Sequence, residues 1–90
     1  MISKEDCIAL CGLTAEEVDA IAEHEHIGEV AAAALADYLL HKDHGTDRIR
    51  SMIVDDIRAA LRDGRPGHAG ELVHVLRRFL SEHPDAAATG

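Results

Sequence analysis

The chain has no tryptophan, one tyrosine (Tyr38), one phenylalanine (Phe79), two cysteines and two prolines in 90 residues. So few aromatic rings predict a thin, aliphatic core, because alanine, with fifteen copies the main apolar residue, favours helix but buries little area. Cys7 and Cys11 are too few for a disulfide scaffold. Long hydrophobic runs are also missing. Val30 to Ala36 is ended by Asp37, far short of the roughly 20 residues that span a bilayer. Positive charge is scarce: 9 Lys+Arg stand against 17 Asp+Glu, a formal net charge of −8. That balance argues against nucleic acid and against anionic membrane surfaces, since both need basic residues to neutralise phosphate. The opening Met-Ile-Ser-Lys-Glu-Asp has no signal-peptide pattern, so a cytoplasmic location is expected. Ser3, Ser51 and Ser81 stand outside any nucleophile motif and no glycine loop is built to cradle phosphate, so an enzyme is not expected.

What is present is a single folded domain over residues 1–84 with a frayed tail at 85–90. Hydrophobic residues make up 47% and charged residues 29%, which is not a disordered composition. The acidic excess is confined to one half. Residues 1–45 carry ten acids and two bases, whereas residues 46–90 carry seven of each. A thin core and an acidic half predict self-association as a dimer and a face suited to a basic protein partner.

The apolar pattern predicts an all-α, compact bundle of four to five short antiparallel helices. Ser3 and Asp6 resemble a helix start, with Cys7, Ile8 and Cys11 on one face and Gly12 as a stop. Thr14-Ala15-Glu16-Glu17 is a capping box that opens a second helix with Val18, Ile21 and Ala22 on one side. Gly28 is placed to break or kink it. A third helix is expected from Glu29 to Leu40 or Lys42, ended by Gly45. Thr46 would cap the fourth, whose stripe is Ile49, Met52, Ile53, Ile57, Ala60 and Leu61. After the turn Gly64-Arg65-Pro66-Gly67, a fifth helix near His68 presents Leu72, Val73, Leu76, Phe79 and Leu80, and His83-Pro84 stops it.

One cluster carries chemistry. Glu23, His24, Glu25 and His26, with Glu29 nearby, combine the imidazole and carboxylate ligands that suit a divalent transition metal, zinc or iron. On a helix, residues three or four apart share a face, so His24 and His26 converge only if Gly28 unwinds the helix end. The same run also reads as a solvated polar helix end. Two carboxylates extend apolar stripes: Glu25 beyond Val18, Ile21 and Ala22, and Asp56 beyond Ile49, Met52 and Ile53. A carboxylate on an apolar face is costly unless paired or ligating, and Arg48, Arg58 and Arg62 are available as partners. Glu23-x-x-His26 and Glu71-x-x-His74 together imitate a di-iron pattern. The second pair lies opposite Leu72, Leu76 and Phe79, so a di-iron core within one chain is rejected. Cys7 and Cys11 read as packing residues rather than ligands. His68, His74 and His83 are scattered, with His83 continuing an apolar stripe. Seven histidines make the charge pH-dependent below about pH 6.5.

The stretch Ile21-Ala22-Glu23-His24-Glu25-His26-Ile27, the alanine-rich helix after it and Met52-Ile53-Val54-Asp55-Asp56-Ile57-Arg58 resemble small all-helical cytoplasmic proteins of proteobacteria. The resemblance covers about residues 3–84, implies an all-α bacterial protein and transfers no site residue. Two functional expectations follow. The first is metal binding through Glu23, His24, Glu25, His26, Glu29 and Asp56. The second is a non-catalytic, self-associating module with an acidic face.

Overall fold

Thr14 caps a helix as the sequence predicts. The Glu17 N–H donates to Thr14 Oγ1 at 3.2 Å, and the Thr14 N–H donates to Glu17 Oε1 at 2.8 Å. This reciprocal pair opens α1, Ala15–Glu25. The structure is a computed structural model that describes residues 13–84. Three further helices follow: α2 Glu29–Leu40, α3 Gly45–Arg62 and α4 Pro66–Glu82. The described residues contain no strand, and the architecture is the all-α bundle the periodicity predicts. The helix expected around Cys7, Ile8 and Cys11, and the tail at 85–90, lie outside the described residues. Among those described, no helix is long and apolar enough to cross a membrane.

The break near Gly28 comes earlier than the glycine. α1 ends at Glu25, and His26 takes the left-handed conformation at φ 57°. The Ile27 N–H then donates back to Ala22 O at 3.2 Å, closing the helix end. Gly28 sits outside both helices as the residue preceding α2.

Two boundary expectations are corrected at the α2–α3 junction. Gly45 does not end the third predicted helix, and Thr46 does not cap the fourth. α2 stops at Leu40, and Gly45 is itself the first residue of α3, preceded by His44 at φ 62°. The reason is steric. A Cβ on Gly45 would lie 1.4 Å from Leu39 O, so the two backbones approach within a distance that only glycine permits.

α3 is the helix against which the others assemble; it contacts α1, α2 and α4. Ile49, Met52, Ile53 and Ala60 are buried along it, and they meet Val18 and Ile21 of α1, Ala32, Ala33, Ala36 and Leu39 of α2, and Leu72 and Phe79 of α4 in one core. Each large aliphatic or aromatic side chain so buried contributes about 1.5–3 kcal/mol. The alanines of α2 contribute less each but let the backbones come close. Leu61, predicted on the stripe, is 58% exposed, because the last turn of α3 turns that position outward beside buried Ala60. Val73 is likewise exposed on the flank of α4.

α3 ends as the glycine-rich turn predicts. Gly64 adopts φ 73°, its N–H donates to Leu61 O at 3.2 Å, and the Arg65 N–H donates to Ala60 O at 2.8 Å. These are the two bonds of a Schellman cap. Pro66 opens α4 two residues earlier than the expected start at His68, where its missing N–H costs nothing.

Glu17 serves the core as well as the cap. Its side chain is fully buried, and Oε2 has no hydrogen-bond partner. Burial pushes its carboxyl above the usual range, against the lowering effect of the Thr14 N–H, with Glu82 adding repulsion. At the far end of α4, the His83 ring packs on Phe79 with centroids 4.6 Å apart, the half-buried position its stripe predicts.

The Gly45 contact gives a sign test. In an ordinary helix position Gly→Ala stabilises by roughly 0.5–1 kcal/mol. Gly45→Ala is expected instead to cost about 1–3 kcal/mol in urea unfolding, as overpacking does. An unchanged or raised stability would contradict the close approach.

Candidate cation-binding cleft

α1, α3 and α4 diverge around an open cleft of about 460 Å³. Glu23 and His24 reach it from the last turn of α1, Asp55 and Asp56 from the middle of α3, and His68 from the first turn of α4. Three helix segments distant in sequence therefore bring two imidazoles and three carboxylates to one place, and His26 and Asp63, just past the ends of α1 and α3, line it too.

Asp56 is the unusual member. It continues the apolar stripe of α3, is 6% exposed, and its Oδ2 has no hydrogen-bond partner. None of the arginines considered as partners forms an ion pair with it among the described residues. Burial, reinforced by the Glu23 carboxylate and only partly offset by His24, pushes its carboxyl up to about 6.

Each imidazole has a carboxylate at its Nε2. His24 Nδ1 lies 2.7 Å from Glu25 Oε2, and its Nε2 lies 3.2 Å from Asp55 Oδ2. Both contacts are satisfied together only by an imidazolium, which donates from each nitrogen. Burial alone would lower the His24 pKa, but the Glu25 and Asp55 carboxylates outweigh it and the net displacement is upward. His68 is hydrogen-bonded at one nitrogen: its Nε2 lies 2.6 Å from Glu23 Oε1, whereas its Nδ1 stands 3.6 Å from Glu71 Oε1, a longer contact than a hydrogen bond. In both residues Nε2 is the nitrogen turned to a carboxylate of the cleft, and Nδ1 is turned to a neighbour outside it.

Of the residues singled out in the sequence, Glu23, His24 and Asp56 come together here. His26 lines the rim but is exposed at the left-handed helix end. Glu25 does not face the core. α1 ends at that residue, so the stripe through Val18, Ile21 and Ala22 has no further turn, and Glu25 is an exposed carboxylate that orients His24. Glu29 begins α2 and does not line the cleft. Glu71 and His74 are exposed, in keeping with the rejection of a di-iron core. His68 and Asp55 were not singled out. Asp55 carries the weak signal of standing beside Asp56, whereas His68 carries none until α4 folds back on α1. As arranged, no three His, Cys, Asp or Glu side chains among the described residues form a ready metal site. The imidazoles are occupied by carboxylates instead.

The raised Asp56 carboxyl predicts a pH-dependent cost. Well below 3.8, at about pH 3 and under, it is protonated folded and unfolded, and no penalty exists. As pH rises from about 4 to about 6 the unfolded chain ionises while the folded one keeps its proton, and stability falls. Above that the penalty is on the order of 2–3 kcal/mol. Asp56→Asn removes the ionisable group at similar size. The variant is expected to be more stable than the parent at pH 7.5 and to lose that advantage by about pH 3, measured by urea unfolding. A loss of stability at pH 7.5 would contradict an uncompensated Asp56.

Compared with protein families, curated proteins and solved structures, the chain matches no family model, no curated protein and no solved structure.

Proposed function

We propose that the protein binds one divalent transition metal ion, zinc or iron, in the cleft between α1, α3 and α4, through His24 Nε2, His68 Nε2 and the Asp56 carboxylate. The observation that carries this reading is the Asp56 Oδ2 atom, buried without a partner in a cleft flanked by two imidazoles. A cation supplies the missing partner, and neutral imidazole with carboxylate is a ligand set both metals accept. The second contacts of the rings fit the role. Glu25 at His24 Nδ1 is the outer carboxylate that fixes the tautomer of a ligating histidine. For His24 and His68 to hold a metal, Asp55 and Glu23 would have to leave the Nε2 atoms, and His24 would bind as the neutral imidazole. Relative to the sequence expectation, Glu23 becomes a flanking acid, Glu25 an orienting acid, and His26 and Glu29 fall outside the ligand set, while His68 enters it.

Isothermal titration with zinc at pH 7.5, and with iron(II) without oxygen, is expected to show one saturable site. The His24→Ala/His68→Ala double variant should weaken it at least tenfold, and His26→Ala should change it little. Absence of saturable binding, or a double variant that binds like the parent, would overturn the reading.

A second reading, self-association, is favoured by one surface. Val30 and Tyr38, 51% and 54% exposed, share the outer face of α2 with exposed Ala31 and Ala34. On this reading the chain is a dimer at micromolar concentration by sedimentation equilibrium, and Val30→Glu/Tyr38→Glu is a monomer. A parent that stays monomeric would remove it.

A further inference from the structure

The large exposed apolar side chains among the described residues are Ile27, Val30, Tyr38, Leu61 and Val73. They form two patches of different shape. The first is a ridge on one helix: Val30, Ala34 and Tyr38 follow at every fourth residue along the outer line of α2. The second is a trough between two helices. Val54, Ile57 and Leu61 make one stripe of α3, and Gly70, Val73 and Arg77 make one stripe of α4. α3 and α4 are antiparallel neighbours joined by the Gly64 turn. α1 takes one side of this pair, where Asp56 and Ala59 line the cleft and Leu72 and Val75 line a groove against α1. The two stripes border the side that α1 leaves open. Leu61 is 58% and Val73 40% exposed there, and a Cβ on Gly70 would meet nothing within 4 Å.

The charges of the two patches are opposite. Arg77 lies on the trough, and Arg50, one turn before Val54, extends it. Neither guanidinium has an ion pair or hydrogen bond among the described residues, and Arg50 Nε is buried without an acceptor. No acid stands on either stripe. The ridge carries exposed Asp37 beside Tyr38 and belongs to the acidic half: residues 13–45 hold eight acids and one base, whereas residues 46–84 hold six acids and seven arginines. That one base, Lys42, lies over the Tyr38 ring, 4.9 Å from its centroid.

We infer that the α3–α4 trough of one copy of the chain receives the α2 ridge of another. The inference rests on the self-association reading above and names the surface that α2 meets. A single helix seated between two others buries its exposed apolar line, and Ala31 and Ala34 keep that line low enough for close approach. Charge selects this pairing over α2 against α2. Two acidic halves face to face repel, whereas α2 in the trough brings an acidic segment to unpaired arginines. The contact joins unlike surfaces, so it passes from copy to copy unless two such contacts close on each other.

The test is sedimentation equilibrium at micromolar concentration on the parent, on the ridge variant Val30→Glu/Tyr38→Glu, on the trough variant Leu61→Glu/Val73→Glu, and on the two variants mixed in equal amounts. The expected result is a parent heavier than the monomer, each variant alone a monomer with association weakened at least tenfold, and a mixture that forms a heterodimer. In that mixture the trough left on one variant meets the ridge left on the other. Gly70→Glu fills the trough from a position open to solvent and should behave as the trough variant does. A trough variant and a Gly70→Glu that both associate like the parent overturn this inference and leave self-association through α2 standing. A mixture that stays monomeric, with Gly70→Glu in place of the trough variant as well, overturns it too. A ridge variant that still associates, or a parent that stays monomeric, overturns the self-association reading itself.

Discussion

Asp56 lies in the apolar stripe of α3, with Met52 and Ala60 buried one turn to either side, so packing that stripe also buries a carboxylate. α3 touches each of the other three helices, and the core cannot form without burying this face. A fold free to choose would place an apolar residue there or an arginine across from it. Neither is present, and the cost of holding an unpartnered carboxyl is borne by the packing of Ile49, Ile53, Phe79 and their neighbours. Strain of this kind is tolerated where it serves a site.

The surroundings of Asp56 follow from how three helices terminate. α1 ends at Glu25, so its last turn delivers Glu23 and His24 to the cleft and leaves His26 in a left-handed turn at the rim. α3 ends in a glycine-based cap that returns Arg65 towards its own helix, and Pro66 starts α4 in time for its first turn to bring His68 beside Glu23. The cleft is thus made of helix ends and the mid-helix pair Asp55 and Asp56. Helix ends are less constrained by core packing than helix centres, which is the freedom the proposed exchange of a carboxylate for an ion would need.

How far the sequence discloses this depends on the range of each interaction. The Thr14–Glu17 capping box, the α3 stripe and the Gly64 turn are local and were readable from a few neighbouring residues. Asp56 was readable as well, because a carboxylate that continues an apolar period stands out against its neighbours. Glu17 was read as a cap, but its burial was not, since a capping-box glutamate is ordinarily solvated. Glu25 does not follow the stripe of Val18, Ile21 and Ala22 into the core, because α1 ends at that residue and no further turn packs over it. Gly45 was misread as a helix end because its role depends on the backbone of Leu39, six residues away and across a turn. His68 and Glu23 are 45 residues apart, and nothing in either local pattern announces that they meet at 2.6 Å.

The claim on which the account turns is that the Asp56 carboxyl is buried without a partner in the folded protein. Carboxyl ¹³C NMR of the metal-free protein, followed from pH 3 to pH 8, reads that carboxyl directly. The account predicts a midpoint near 6, displaced upward from the 3.8 of an ordinary aspartate. A midpoint at or below the ordinary value would mean that Asp56 is solvated or ion-paired, and would contradict it.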